Sequence, residues 1–156
     1  MRNNRLLTAL NVIELNVAIF GFLLNFIWEI LQGGLYLGFN ELSYKEGVKY
    51  CAQATFADTG IILASFWLVA WFDGGRNWPL RPGAKQVVGF TLIGLIATIV
   101  LEILSTHVWD RWSYSKSMPV IPILDVGMTP FLQWVLLPPL TVWFVRRQVS
   151  QRDKAV

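Results

Sequence analysis

Glu29, Asp58 and Glu102 are carboxylic acids set inside separate apolar runs of a 156-residue chain, and none of those runs contains a Lys or Arg. Acids brought together in a low-dielectric place with no cation to neutralise them share protons. A protonated carboxyl beside an ionised one can give a proton at one substrate atom and take one at another, which is general acid–base chemistry. The neighbours of these acids repeat at helical spacing. Asn25, Glu29, Gln32 and Tyr36 follow one another by four, three and four residues, which draws one stripe along a helix. Glu102, Ser105, Thr106 and Trp109 draw a second stripe, Thr55, Asp58 and Thr59 a third, and Thr129 and Gln133 a fourth. Trp28 and Trp134 adjoin Glu29 and Gln133, and an aromatic wall beside an acid suits a polyene or a developing cation.

The candidate catalytic residues are therefore Glu29, Asp58 and Glu102. The candidate substrate-binding residues are Asn25, Trp28, Gln32, Tyr36, Trp112, Tyr114, Gln133 and Trp134. The competing reading of the neutral members is hydrogen-bonding glue between helices. His107 is the single His and Cys51 the single Cys, so a zinc, haem or thiol-redox site lacks its usual ligands, and no metal or cofactor is expected. An oxygen-only cation site on the three acids is the one metal reading left open. His107 lies five residues past Glu102, off its face, and is expected at a surface or interface.

The elements that must position these residues are membrane spans. Hydrophobic residues make up 54% of the chain and charged residues 15%, against roughly a quarter charged in a soluble domain. Mean hydropathy is +0.49. This balance excludes a disulfide scaffold, a disordered tail and a nucleic-acid binder. Crossing about 30 Å of hydrocarbon takes about 20 mostly apolar residues. Four stretches qualify: Leu15 to Phe39, Ala52 to Phe72, Val87 to Val108 and Val126 to Val145. The expected fold is an all-α bundle of four transmembrane helices, one domain over residues 1–156. Arg2 and Arg5 precede the first run in the manner of a signal peptide, but the run is too long for one and has no small-residue cleavage site, so it is read as a retained span.

Lys and Arg fix the expected orientation. Nine fall at the N-terminus (Arg2, Arg5), in the second loop (Arg76, Arg81, Lys85) and at the C-terminus (Arg146, Arg147, Arg152, Lys154), against four in the first and third loops (Lys45, Lys49, Arg111, Lys116). Both termini are expected in the cytoplasm. Trp71, Trp78 and Trp143 then anchor the inner interface, and Tyr36, Tyr44, Tyr50, Trp109, Trp112 and Tyr114 the outer one. At 1.5 Å per residue from the inner end, Glu29 and Asp58 lie about 21 Å along their helices and Glu102 about 22 Å. Gln133 and Thr129 fall in the same layer at about 18 and 24 Å. The inner half, Phe20 to Leu24, Ile61 to Ala64 and Leu92 to Val100, is nearly all apolar, so a polar chamber closed below is expected. Glu14 is expected at the inner boundary beside Arg5, in water.

The loops differ. Asp73 to Lys85, with three glycines and two prolines, reads as a plain turn-rich connector. Trp109 to Asp125 is too apolar for a solvated loop and too broken by Pro119 and Pro122 for a span, so it is expected either to fold back over the chamber, burying Trp109, Trp112, Tyr114, Met118 and Leu124 and bringing Asp110, Arg111 and Asp125 near its mouth, or to form a simple interfacial aromatic belt. Pro138 and Pro139 are expected to bend the fourth span, and Gly33 and Gly34 to loosen the end of the first.

The run Asn25-Phe26-Ile27-Trp28-Glu29-Ile30-Leu31-Gln32 with Leu35-Tyr36, then Asp58, Glu102, Trp112-Ser113-Tyr114, Met118-Pro119 and Thr129-Pro130-Phe131-Leu132-Gln133-Trp134, resembles a group of small four-span bacterial membrane proteins of unassigned function. Trp28-Glu29 also bears a faint likeness to membrane-embedded terpene cyclases of fungal meroterpenoid pathways, where a Trp-Glu pair on an early helix and an Asp on another are implicated in protonating the substrate. Those enzymes have seven spans and this chain four. The expected function is acid–base isomerisation or cyclisation of a lipid or isoprenoid that enters from the outer leaflet of a bacterial plasma (inner) membrane. The rivals are a non-catalytic subunit or assembly factor, whose polar stripe a partner membrane subunit or a second copy covers, and a small proton-coupled transporter. The transporter lacks inverted repeats.

The nine-to-four charge asymmetry gives a direct test of orientation. Reporter fusions after Lys154 should read cytoplasmic and fusions within Asn40 to Lys49 external. The opposite pattern would place the acids in the other leaflet.

Overall fold

In the computed structural model, which describes residues 12–72 and 75–152, the chain is four long helices joined by one short and two structured loops. Helix α1 covers Ile13–Gln32, α2 Tyr44–Phe72, α3 Ala84–Ile103 and α4 Met128–Arg152. Each belongs to a stretch long and apolar enough to cross a membrane. The outward surface agrees: Val88, Leu92, Ile96 and Val100 repeat every four residues along α3 and are all exposed, as are Leu23, Ile27, Ile30 and Leu31 on α1. An apolar belt of this extent is stable against hydrocarbon and not against water, so this is a multi-pass membrane protein. Arg2, Arg5, Asp73 and Lys154, which enter the orientation and loop readings, lie outside the described residues.

The helix limits depart from the expected ones for local reasons. The first helix stops at Gln32, continues as one 3-10 turn over Gly33–Leu35 and gives way at Gly38, where φ of +78° reverses the chain. The ring of Phe39 packs so closely on Gly33 that a Cβ there would lie 2.5 Å from it, so any side chain at this position would force the ring to shift. The second helix starts two turns before Ala52, because Ser43 and Glu46 form a reciprocal cap: Ser43 N–H donates to Glu46 Oε2 at 3.0 Å and Glu46 N–H to Ser43 Oγ at 3.4 Å. Hydropathy counts Lys45, Glu46 and Lys49 as loop, and capping makes them helix. The third span ends in a turn of π-helix, Leu104–Val108. The fourth helix runs on through Pro138 and Pro139 to Arg152, so the prolines do not end it.

The inner half is filled by aromatic and branched side chains, and its centre corrects the sequence reading. Trp78, expected as an interface anchor on a plain connector, is buried: a 3-10 turn over Trp78–Leu80 inserts its indole between Phe66 and Phe90, with ring centroids 5.9 and 5.4 Å away. The second loop thus plugs the end of the bundle opposite the first and third loops. Glu14 is also not solvated. Its side chain is 17% exposed and reaches Arg76 Nε at 3.3 Å, tying this loop to α1. Trp134 is the largest fully buried side chain, and it is accommodated by Gly94 on α3.

A Cβ at Gly94 would overlap the six-membered ring of Trp134, which is wedged in the core and cannot retreat. Gly94→Ala should therefore destabilise the bundle by about 1–3 kcal/mol or more. Gly60 on α2 has nothing within 4 Å of such an atom, so Gly60→Ala should stabilise by up to about 1 kcal/mol through helix propensity. Thermal unfolding in detergent of the two variants checks the opposite signs.

Candidate functional site

Above the aromatic plug the four helices separate around a cavity of about 720 Å³, a volume typical of small-ligand sites. Glu29, Asp58 and Glu102, from α1, α2 and α3, all line it, together with Gln32, Tyr36, Gln133, Trp134 and Trp112. The helical stripes account for this: Glu29 and Gln32 are three apart on α1, and Gln133 lies on the α4 face that turns away from exposed Leu132 and Leu136.

Gln133 joins the elements. Its side-chain N–H2 donates to Asn25 Oδ1 at 2.8 Å and to Asp58 Oδ2 at 2.8 Å, with Glu29 Oε1 further off at 3.3 Å, and its carbonyl accepts from Gln32 Nε2 at 3.1 Å. An amide has two hydrogens, so the two short contacts are its main bonds. Glu29 is held chiefly by Gln32 Nε2 at 2.7 Å. Glu29 and Asp58 thus meet at one amide, which reaches Asp58 Oδ2 at 2.8 Å and Glu29 Oε1 at 3.3 Å.

Glu102 occupies a second subsite. Three donors converge on its carboxylate: Tyr114 Oη at 2.5 Å and Trp112 Nε1 at 3.4 Å on one oxygen, Tyr36 Oη at 3.4 Å on the other. Two of these donors come from the third loop and the third from the first. The loops are laced together as antiparallel backbone at Tyr36 and Tyr114, with Leu37 N–H donating to Ser113 O and Ser115 N–H to Leu35 O, both at 2.9 Å. The third loop therefore folds over the acids. It also contains a two-stranded ribbon, β1 (Val120–Ile121) against β2 (Val126–Gly127), a small departure from the all-α expectation. Met118 is buried beneath it, but Trp109 stays about half exposed, because the π-turn at the end of α3 swings it away from the bundle.

Other residues fall elsewhere than expected. Asn25, Trp28 and Tyr114 do not line the cavity; each holds a residue that does. The Trp28 indole donates to Gln32 Oε1 at 3.1 Å rather than forming a wall. Thr55, Thr59 and Thr106 donate to the carbonyl four residues earlier on their own helices, and Thr129 donates to Met118 Sδ. These threonines satisfy themselves locally and are not part of the chamber's polar surface. His107 is exposed and bridges Thr106 Oγ, at 2.6 Å, to Asp125 at 2.7 Å, which anchors the β ribbon to the end of α3. Among the described residues no three His, Cys, Asp or Glu side chains group closely enough to hold a metal ion. Hydropathy also hid a lining face on α2: Tyr50, Ala54, Ala57 and Ile61 repeat at three and four residues and border the cavity. Their helical spacing was the available signal.

Outside the spans, burial and then the facing Glu102 carboxylate push the Tyr36 phenol well above the ordinary tyrosine range. Burial and then its hydrogen bond to Glu102 do the same for Tyr114. A folded-state value above the unfolded one means that the native state keeps protons the unfolded chain has lost, so this contribution to stability is intact below about pH 10 and is lost as pH rises further. In a tyrosinate absorbance titration, two of the chain's four tyrosines should ionise late or only with unfolding. Tyr36→Phe and Tyr114→Phe should each remove one late-ionising phenol and flatten the alkaline loss of stability.

Compared with protein-family models, curated proteins and solved structures, the chain matches none.

Proposed function

We propose that the chamber is an acid–base site that rearranges a lipid or isoprenoid, by isomerisation or cyclisation, within a bacterial plasma membrane. The observation that carries this reading is that acids from three different helices line one ligand-sized cavity and are held by neutral donors only, Gln32 and Gln133 on one side and Tyr36, Trp112 and Tyr114 on the other. Glu29 and Asp58, which meet at the Gln133 amide with no Lys or Arg in their spans, hold one proton between them in this reading and are the donor. Glu102, whose oxygens accept from three donors and give to none, is the acceptor. A proton added at one end of a double bond leaves a cation at the other end, and removal of a proton from the next carbon beyond it moves the double bond by one position with no net gain or loss. The chamber is then reset by returning the proton from Glu102 to the pair.

The burial of Asn25, Gln32, Thr55 and Gln133 supports this reading over that of a subunit whose polar stripe awaits a partner, since that stripe would lie on the outer face. Protein incubated with a membrane lipid extract in D2O should place deuterium at a carbon-bound position of one lipid class, read by mass spectrometry. Asp58→Asn and Glu102→Gln should each slow this by about 100-fold or more. No lipid gaining deuterium, and none changing retention at constant mass, would overturn the proposal.

A further inference from the structure

We propose that the cavity opens sideways between α2 and α3 and takes from the outer leaflet a single-chain amphiphile with an uncharged hydroxyl head. This rests on the reading of the cavity as a lipid site and names the class of lipid and its route. The two helices are held together in the inner half by Trp78 between Phe66 of α2 and Phe90 of α3. Among the described residues no aromatic ring joins the two helices in the outer half in this way. There the cavity is bordered by α2 at Tyr50, Gln53 and Ala57 and by α3 at Leu101, all exposed. From Tyr50 to Ile61 the lining face of α2 runs about 16 Å along the helix, within its apolar stretch. The paired backbone of Leu35 to Leu37 and Ser113 to Ser115 and the lining residue Trp112 belong to the loops at the rim, where Leu37, Gly38 and Arg111 are also exposed; along the spans themselves the exposed lining lies on the α2 and α3 side alone. Ala54 and Ala57 leave room on that side for a chain of methylene width.

The head follows from what the chamber offers. Glu29, Asp58 and Glu102 face inward, and the one Lys or Arg among the lining residues is Arg111, exposed at the outer rim. A phosphate or carboxylate drawn inside would meet three acids and no cation. A hydroxyl can donate to a carboxylate oxygen and accept from a neighbour, and the hydroxyl of Thr98, one turn inward of Glu102 on α3, is buried without a partner among the described residues. A long-chain alcohol satisfies both.

The protein in phosphatidylcholine vesicles, irradiated with a diazirine analogue of the prenyl alcohol geranylgeraniol, should be labelled within Tyr50 to Ile61 or at Leu101. Ala57 is exposed, so Ala57→Trp fills the slot without entering the core, and it should cut this labelling by about tenfold or more. The diphosphate of the same alcohol should not label the slot. Equal labelling of native protein and A57W, labelling confined to outward residues such as Trp67 and Trp71, or equal labelling by the diphosphate would overturn the proposal. Blocked labelling in A57W with no deuterium entering any lipid keeps the slot and counts against the acid–base chemistry. Deuterium entry that A57W leaves unchanged keeps the chemistry and overturns the slot.

Discussion

The amide of Gln133 is the junction on which the outer half of the bundle depends. Buried side-chain amides must find partners for both donors and the carbonyl, because each one left unpaired costs about 1–3 kcal/mol. Gln133 finds them on Asn25 and Gln32 of α1 and on Asp58 of α2, which fixes the rotation of three helices about one point. Packing alone would hold these helices less specifically, since side chains in a membrane gain little from leaving lipid. The acids are thus part of the scaffold as well as lining the cavity.

Glu102 depends on a different kind of support. Its donors come from loops rather than helices, and those loops are positioned by pairing with each other across the bundle top. The turn-forming Asp110 and Asp125 sit at left-handed φ of 47° and 51°, unusual for residues with a Cβ, at either end of the covering segment. Backbone of this kind persists where the surroundings over-determine it, as the Asp125 contact to His107 does here. The two subsites therefore differ in rigidity: the pair of Glu29 and Asp58 is set between helices, and Glu102 is set by a cover that local loop structure holds in place.

The spans and the acids were legible in the sequence because membrane insertion writes itself into composition: about 20 apolar residues without charge have few other uses. The stripe of Asn25, Glu29 and Gln32 was legible for the same reason, since a polar group in a span must turn inward. The start of α2 was not, because its first two turns carry charge and only the Ser43 and Glu46 cap identifies them as helix. Trp78 was misplaced because an interfacial anchor and a core plug use the same residue near the same helix end, and only the gap between Phe66 and Phe90 distinguishes them.

By itself, then, the sequence determined that there are four spans, which acids lie inside them, and that these acids share a layer, since each follows from local hydropathy and a rise of 1.5 Å per residue. Tertiary structure alone decided which acids pair. Glu29 and Asp58 meet at the Gln133 amide, and Glu102 meets Tyr36, Trp112 and Tyr114, because helix rotation and loop closure set azimuth, which depends on contacts between residues tens of positions apart. It decided too that Trp28 and Asn25 stand behind the lining while Tyr50, Ala54 and Ala57 stand in it, because which face of a helix meets a cavity is a property of its neighbours and not of its own sequence.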